Sequence, residues 1–332
     1  VIAGDRLFVC SERTTLVCVN LADGKILWQK TNDYADAMTP EERAKLKENL
    51  PPTHETNGYS SPTPVTNGRN VYVLFGTGTV ACYDLDGNRK WIKFVEKSTE
   101  GWGHSASPLL VGDKLFVHII DLVALNAETG EVRWRQKCQT GWGSPAHAKV
   151  GDTDVVITPK GDIFKAADGS VLARNVSTLE YCTPLVQDGV AYFIEHGGKA
   201  VKLPDKTGPE VKPQVLWETK PAKERYYASP VCHDGLIYAI QQQGLLSVID
   251  AATGTVVYEQ KLNLDGTVFT SLAFAGGYVF ASGERGMTVV FKPGRKYEEV
   301  SRNSLEPFRS SPVFAGKRMY VRGMKNLYCI GQ

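Results

Sequence analysis

The fold is decided by one stretch of sequence, Ser105-Ala-Ser-Pro108-Leu-Leu-Val-Gly112-Asp-Lys-Leu-Phe-Val117, and by its continuation from Leu122 to Trp134. The stretch begins with small residues and a proline, turns at a glycine, and continues as a run of β-branched and aromatic residues. A second apolar run ends in Asn126, a Thr-Gly turn follows, and a third run carries Trp134. Turn formers that alternate with strand formers in this way predict short antiparallel strands joined by hairpins.

This unit recurs along the chain. Five copies carry a proline in the segment that leads into the first strand, which we call the lead-in loop: Pro64, Pro108, Pro184, Pro230 and Pro312. In two further copies we assign His147 and Leu272 to the proline position. A copy without a lead-in loop runs from Val1 to Trp28. Successive copies lie 37 to 46 residues apart, which gives eight repeats.

A repeat of about 40–45 residues that holds four short strands is typical of propeller blades. Gly and Asp at fixed offsets supply the positive φ angles that hairpin turns need. The aromatic residue four positions after the turn glycine is interpreted as a packing residue between blades; these residues are Trp28, Trp91, Trp134 and Tyr258. The sequence therefore predicts an all-β fold, a single eight-bladed β-propeller of four-stranded antiparallel blades over residues 1–332.

Two irregularities interrupt the repeat. An insertion at about residues 33–58 separates blades 1 and 2. It contains Thr39-Pro40-Glu41-Glu42, which predicts a capping box with proline at the first helical position. We expect the helix to continue from Arg43 to Leu50 and to stop at Pro51-Pro52. The last copy stops after its third strand, so the last blade is expected to lack its outer strand in this chain.

Composition and spacing exclude several functions. Lys and Arg number 38 against 36 Asp and Glu, and a net charge of +2 predicts neither a nucleic-acid-binding face nor a polybasic membrane patch. The apolar runs are far shorter than a membrane span. The six histidines show no metal-ligand spacing, and the seven cysteines include no CxxC and no adjacent pair. We therefore predict no metal site, and we interpret most cysteines as small buried residues.

The segment Ala124-Leu-Asn126-Ala-Glu-Thr129-Gly130-Glu-Val-Arg-Trp134 resembles the tryptophan-docking repeat of pyrroloquinoline quinone (PQQ)-like propellers. Asp250-Ala-Ala-Thr253-Gly254 is a second, partial match, and the resemblance covers essentially the whole chain. The family has a non-catalytic branch, typified by the BamB outer-membrane assembly lipoproteins and by sensor-like domains. Its other branch is the quinoprotein alcohol and sugar dehydrogenases, which hold PQQ and a calcium ion.

The resemblance favours the non-catalytic branch. Quinoprotein alcohol dehydrogenases typically carry an adjacent Cys-Cys pair and a calcium-binding cluster, and neither is identified in this sequence. The resemblance thus implies a binding or scaffold propeller in the periplasm or cell envelope, without a resident cofactor. Such a propeller would present its funnel face and its helical insertion to a protein partner or an extended ligand. Two alternatives stay open: a PQQ-dependent oxidoreductase that holds PQQ with calcium, and a carbohydrate-binding propeller.

The lead-in loops are rich in aromatic residues, and two of them share Gly-Trp-Gly, at 101–103 and 141–143. Converging aromatic rings with Arg and Glu suit the stacking of a sugar, a planar cofactor or a partner's side chain. The alternative, that they plug a narrow funnel, stays open. The candidate binding residues are Tyr59, Trp102, His104, Trp142, Tyr181, Arg225, Tyr227, Phe269 and Arg309. No catalytic residue is assigned, because Glu195-His196 in a predicted hairpin has no third partner.

Overall fold

The repeats fold into eight antiparallel sheets within the described part of the chain. The computed structural model describes residues 1–46, 50–208, 213–221 and 223–331. In every sheet the strands pair in the order in which they occur in the sequence. The sheets are the blades of an all-β, eight-bladed β-propeller, so the fold class predicted from the repeat is confirmed.

Most strands are three to six residues long, as short blades require. The strands of the first four sheets are β1 (Ile2–Ala3), β2 (Arg6–Ser11), β3 (Thr15–Asn20), β4 (Ile26–Thr31); β5 (Val65–Thr66), β6 (Asn70–Leu74), β7 (Thr79–Asp84), β8 (Arg89–Phe94); β9 (Leu109–Val111), β10 (Lys114–His118), β11 (Leu122–Asn126), β12 (Val132–Gln136); β13 (Ala146–Val150), β14 (Thr153–Ile157), β15 (Ile163–Lys165) and β16 (Val171–Ala173).

The other four sheets follow the same order, and the eighth has three strands among the described residues. Their strands are β17 (Leu185–Gln187), β18 (Val190–Ile194), β19 (Gly198–Lys202), β20 (Gln214–Thr219); β21 (Val231–His233), β22 (Leu236–Ile240), β23 (Leu245–Asp250), β24 (Val256–Lys261); β25 (Ala273–Ala275), β26 (Tyr278–Ser282), β27 (Met287–Phe291), β28 (Glu299–Ser304); β29 (Val313–Ala315), β30 (Arg318–Arg322) and β31 (Leu327–Gly331).

The chain divides into two compact units, each with its own core. One unit comprises Val1–His147 and Thr153–Arg174, and the other comprises Ala148–Asp152 and Asn175–Gln332. In the first unit, alternate residues of β6 face opposite neighbours. Tyr72 and Leu74 pack with residues of the third sheet, whereas the intervening valines pack with residues of the first sheet. Burial on both faces explains why the central strands are apolar at nearly every position.

Tryptophans join neighbouring sheets within each unit. Each indole Nε1–H donates to a carbonyl of the next sheet at 2.9–3.2 Å, and the pairs are Trp28 to Leu85, Trp91 to Ala127, Trp134 to Ala166 and Trp217 to Ala251. Each ring also covers the turn glycine of that next sheet. A Cβ built on Gly87, Gly130, Gly169 or Gly254 would lie only 2.6–2.9 Å from the ring. The packing role predicted for Trp28, Trp91 and Trp134 is therefore confirmed.

The sixth sheet uses tyrosines in place of the tryptophan. Tyr258 packs against the core that the sixth and seventh sheets share, and its buried hydroxyl makes no hydrogen bond among the described residues. Burial raises the pKa of Tyr258 to about 12. The polar link to the seventh sheet comes instead from Gly294, whose N–H donates to the hydroxyl of Tyr238 at 2.8 Å. The packing role of Tyr258 is thus confirmed, but the hydrogen bond to the next sheet is made by Tyr238 instead.

A second set of contacts joins the lead-in loops, and we call it the hydroxyl ladder. The backbone N–H of one Ser or Thr donates to the Oγ of the equivalent Ser in the next loop at 2.8–3.1 Å. The bonds run from Thr63 to Ser107 and from Ser107 to Ser144 in the first unit, and from Thr183 to Ser229, from Ser229 to Ser271 and from Ser271 to Ser311 in the second.

The ladder corrects one assignment made from the sequence. Ser144 occupies the ladder position of the fourth repeat, so the lead-in proline of that repeat is Pro145. His147, which we assigned to the proline position, lies two residues further on, within β13. Its Nε2 is 2.7 Å from a carboxylate oxygen of Asp154 on the protein surface. His147 precedes the turn glycine Gly151 by four residues, as Pro64 and Pro108 precede theirs, but the neighbouring loop contacts the hydroxyl of Ser144.

The insertion between the first two sheets contains two short helices, α1 (Tyr34–Ala37) and α2 (Pro40–Lys45). The predicted capping box is present, because Thr39 Oγ1 accepts from the N–H of Glu42 while the Glu42 carboxylate accepts from the N–H of Thr39. The helix ends at Lys45, earlier than the predicted Leu50, and residues 47–49 lie outside the described residues. Neither helix contains a buried residue, so both lie on the protein surface.

His104, a candidate binding residue, is wrongly assigned to the ligand-facing surface. Its side chain is 3% exposed, and its Nε2 lies 3.0 Å from the carbonyl oxygen of Ala106 in the same loop. The neighbouring His118 is also buried, and it lies 3.3 Å from the thiol of Cys138. Burial lowers the pKa of both histidines to about 4 and raises that of Cys138 to about 12. The three groups therefore form a neutral part of the core.

The tryptophan contact predicts a difference between two glycines of the sixth sheet. Gly254 and Gly235 have nearly equal φ angles, +74° and +69°, but only Gly254 lies under an indole, that of Trp217. Gly235→Ala should lower the free energy of unfolding by roughly 1–2 kcal/mol through backbone strain alone. Gly254→Ala should cost about 1–3 kcal/mol more, because its Cβ overlaps the ring. Urea denaturation of both variants measures the difference, and equal losses would contradict the role of this contact.

The buried histidines predict acid sensitivity. Their pKa values in the folded chain lie below 6.5, so the unfolded chain takes up protons first as the pH falls. Their stabilising contribution is complete above pH 6.5 and is lost between pH 6.5 and about 4, on the order of 3 kcal/mol for each histidine. His104→Gln should flatten the dependence of the unfolding free energy on pH in that range. The surface variant His147→Gln is the control, and equal slopes in the two variants would refute the prediction.

Candidate functional site

Four candidate residues of the second unit share one position in the repeat. They lie four residues before the first strand of their sheet and two residues before the hydroxyl ladder: Tyr181, Tyr227, Phe269 and Arg309. We call these four residues the lead-in row. The ladder fixes the spacing of consecutive loops, and it therefore places the four side chains side by side. The preceding aromatic residues Tyr226 and Phe308 are buried, whereas the row itself is half-buried.

The lead-in row forms one continuous surface. The rings of Tyr181 and Tyr227 meet edge to face with their centroids 4.9 Å apart, and those of Tyr227 and Phe269 stack with centroids 5.1 Å apart. The Arg309 guanidinium lies 5.6 Å from the centre of the Phe269 ring, which is a cation–π distance. The row is thus three aromatic rings followed by one cationic side chain. It can stack against a ligand's rings along its length and donate hydrogen bonds at the Arg309 end.

Charged neighbours hold the row in place. The Arg309 guanidinium pairs with the Glu284 carboxylate at 3.2 Å, and that carboxylate also accepts from the N–H of Thr267 at 3.0 Å. Arg225, another candidate residue, is exposed beside the row, and its hydrogen bond with Tyr227 raises its pKa. Five of the nine candidate residues therefore come together in the second unit.

Through its carboxylate, Glu195 binds the backbone of the lead-in loop that carries Tyr181. Its buried carboxylate accepts hydrogen bonds at 2.7–3.0 Å from the backbone N–H groups of Glu180, Tyr181 and Cys182. Burial raises the pKa of Glu195 despite these bonds. His196 is exposed, and its Nδ1 lies 2.8 Å from a different partner, the carbonyl oxygen of Glu224. The carboxylate thus positions the loop that carries Tyr181.

A carboxylate in the hairpin after the second strand recurs in other sheets, and sequence reasoning missed it. Glu12 Oε1 accepts from the N–H groups of Tyr59 and Ser60, which lead into the second sheet, whereas Glu195 binds the lead-in loop of its own sheet. Glu284 does the same for Thr267. A glutamate just after the second strand in three repeats is the signal that identifies this set of positioning residues.

The other candidate residues lie in the first unit. The indole Nε1–H of Trp142 donates to the Gly103 carbonyl at 3.1 Å. Trp102 is 56% exposed, and its ring centroid lies 4.2 Å from that of His54. Tyr59 lines a cavity of about 580 Å³, and its hydroxyl donates to the carbonyl of Pro51 at 2.9 Å. Trp102 and Tyr59 thus contact the insertion, whereas Trp142 contacts the lead-in loop that carries Trp102.

Among the described residues, no three His, Cys, Asp or Glu side chains converge where they could hold a metal ion. Four of the seven cysteines, Cys10, Cys18, Cys82 and Cys182, are buried as predicted, and Cys329 is exposed. In the same described part of the chain, no helix has the length and apolarity needed to cross a membrane.

The comparisons with known proteins agree on one family. The family model described as outer membrane protein assembly factor BamB matches residues 1–178 and 120–330. BamB of Yersinia pestis is 19% identical over 320 residues, which cover 96% of this chain and 67% of that protein. BamB of Legionella pneumophila (strain Paris) is 24% identical over 191 residues, which cover 54% of this chain and 48% of that protein. The chain thus spans about two thirds and about half of the lengths of these relatives.

Solved structures share the fold. BamB from Moraxella catarrhalis has a TM-score of 0.71 at 14% identity and covers 99% of this chain and 92% of its own. A europium-containing methanol dehydrogenase has a TM-score of 0.69 at 12% identity and covers 96% of this chain and 81% of its own. At these identities the likeness concerns the fold alone. Because the family model matches nearly every residue, the chain belongs to the BamB family of PQQ-like repeat propellers.

Proposed function

We propose that the chain is a non-catalytic binding propeller of the cell envelope, which docks an extended polypeptide during the assembly of outer membrane proteins. The observation that carries this proposal is the lead-in row, in which three rings and a guanidinium lie side by side and half-buried. The assembly role rests on the family and on the names of its relatives.

The row suits a polypeptide because it offers similar side chains at regular intervals, as an extended chain does. Successive rings offer faces and edges to aromatic and apolar side chains, and aromatic anchors carry much of the energy in protein interfaces. Glu195 and Glu284 already hold the loops and Arg309 in place. A preorganised strip loses little conformational entropy on binding. Exposed Arg225 adds hydrogen-bond donors beside the rings for backbone carbonyls.

The groups around the row favour recognition over chemistry. Glu195 is committed to three backbone N–H groups, and Glu284 is committed to Arg309. Burial raises the pKa of the Cys182 thiol well above its ordinary value, so this cysteine stays a thiol and not a nucleophilic thiolate. We therefore assign structural roles to Glu195, Glu284 and Cys182.

The proposal also implies a cellular compartment and a binding face for this chain. Since its relatives are named outer membrane protein assembly factors, we place this chain outside the cytoplasm with a protein partner. In this proposal, the lead-in loops that carry the row are the funnel-face surface that binds the partner.

The row predicts a binding defect that can be measured. The probe is a fluorescently labelled outer membrane protein, unfolded in urea and diluted into the purified chain. The wild-type chain should bind it saturably, as measured by fluorescence anisotropy. The double variant Tyr227→Ala/Phe269→Ala should weaken binding at least about tenfold, because it removes the centre of the strip.

The control for this experiment is Tyr278→Ala, which removes an exposed tyrosine on β26 outside the row. Urea denaturation of each variant confirms that it is folded. Absence of saturable binding by the wild-type chain would overturn the polypeptide-docking function. Equal weakening by Tyr278→Ala would overturn the assignment of the row.

A function without a resident cofactor predicts the outcome of a PQQ titration. PQQ added with calcium should cause no saturable quenching of tryptophan fluorescence at micromolar concentrations, because no three acidic, histidine or cysteine side chains converge among the described residues to help hold the ion. The same titration without calcium is the control. Saturable, calcium-dependent quenching would overturn the cofactor-free function and favour the oxidoreductase alternative.

A further inference from the structure

The first unit contains a cavity of about 580 Å³ that the proposed function does not use. Its walls come from the hairpin between β2 and β3, from the start of the insertion and from residues 53–59. The charged side chains that line it are Glu12, Arg13, Asp33 and Glu55, and most of the remaining lining residues are threonines, with His54 and Tyr59. Its volume lies within the range of about 300–1,000 Å³ that small-molecule sites occupy.

The walls of the cavity are held by hydrogen bonds of their own. Glu12 Oε1 accepts from the N–H of Tyr59 at 2.9 Å, and from both the N–H and the hydroxyl of Ser60 at 2.8 and 2.6 Å. Asp33 Oδ1 accepts from the hydroxyl of the buried Thr14 at 2.8 Å. Each carboxylate uses one oxygen for these bonds, so its second oxygen can accept from a ligand.

The lining selects a class of ligand. An apolar molecule would leave the carboxylates and hydroxyls without partners, which is costly. An anion would meet three carboxylates against the single guanidinium of Arg13. A bare metal ion lacks a cluster of three ligands among the described residues. The chemistry that remains is a ligand rich in hydroxyl groups, which donate to carboxylates and accept from Arg13 and the threonines.

Aromatic rings in and beside the cavity also suit a ligand rich in hydroxyl groups. Tyr59 lines the cavity, and the largely exposed indole of Trp102 lies 4.2 Å, centroid to centroid, from the ring of His54, which also lines it. An exposed aromatic ring beside a polar cavity gives the C–H face of a cyclic polyol an apolar surface to cover. We propose that this cavity is a binding site for a sugar, neutral or cationic but not acidic.

The test uses the full chain and four probes: glucose, maltose, glucosamine and glucuronate, titrated by calorimetry. At least one of the first three should bind saturably, and glucuronate should bind at least about tenfold more weakly than glucose or not at all. Comparison of glucose with glucosamine distinguishes a neutral sugar from a cationic one. The variant Asp33→Asn keeps the acceptor for Thr14 but removes a charge, and it should weaken binding by about tenfold or more.

Asp36→Asn is the matched control, because Asp36 lies in the same insertion but pairs with Arg89 at 3.1 Å and does not line the cavity. Failure of all four sugars to bind would overturn the proposal, as would equal weakening by the two variants or equal binding of glucuronate. The variant Tyr227→Ala/Phe269→Ala should retain sugar binding. A failure of this proposal is therefore distinguishable from a failure of the polypeptide-docking function.

Discussion

The contact between an indole and a turn glycine is the constraint on which the blades depend. It makes two demands at one place: a donor that reaches a carbonyl of the next sheet, and a turn residue with positive φ and no Cβ under the ring. Trp91 over Gly130 and Trp217 over Gly254 satisfy both. Burial of an aromatic ring contributes roughly 1.5–3 kcal/mol and its hydrogen bond about 1 kcal/mol, a notable share of the 5–15 kcal/mol that stabilises a typical domain.

The hydroxyl ladder joins neighbouring lead-in loops and so brings their side chains together into one surface. The residue directly before each ladder hydroxyl is small and mostly buried, as Cys182, Ala228 and Thr270 are. The residue before that one faces outward. A large side chain at the outward position therefore meets its equivalents from the neighbouring loops, and Tyr227 contacts both Tyr181 and Phe269. The proposed binding surface is thus a consequence of the repeat, and the side chains at one position would give it specificity.

The sequence predicted correctly those features that depend on residues near one another in the chain. The repeat period and its turn residues predicted eight sheets, and the Thr39–Glu42 pattern predicted the capping box, because each depends on residues close together in the chain. His104 was misjudged because residue type alone does not reveal that its side chain is buried within the folded loop. The row residues were identified by residue type, but their contacts follow from a ladder that joins loops about 40 residues apart. No sequence pattern indicated the cavity, since Glu12 and Tyr59 meet only in the folded chain.

The same type of glutamate–backbone contact occurs at the lead-in row and at the cavity. A glutamate in the hairpin after a second strand binds the backbone of a lead-in loop, and it does so in the first, fifth and seventh sheets. Where the carboxylate is buried, as at Glu195, it serves only to hold an aromatic residue in position. Glu12 is exposed and makes similar bonds through one oxygen. Of the three glutamates, it is the one that also lines the cavity proposed as a sugar site.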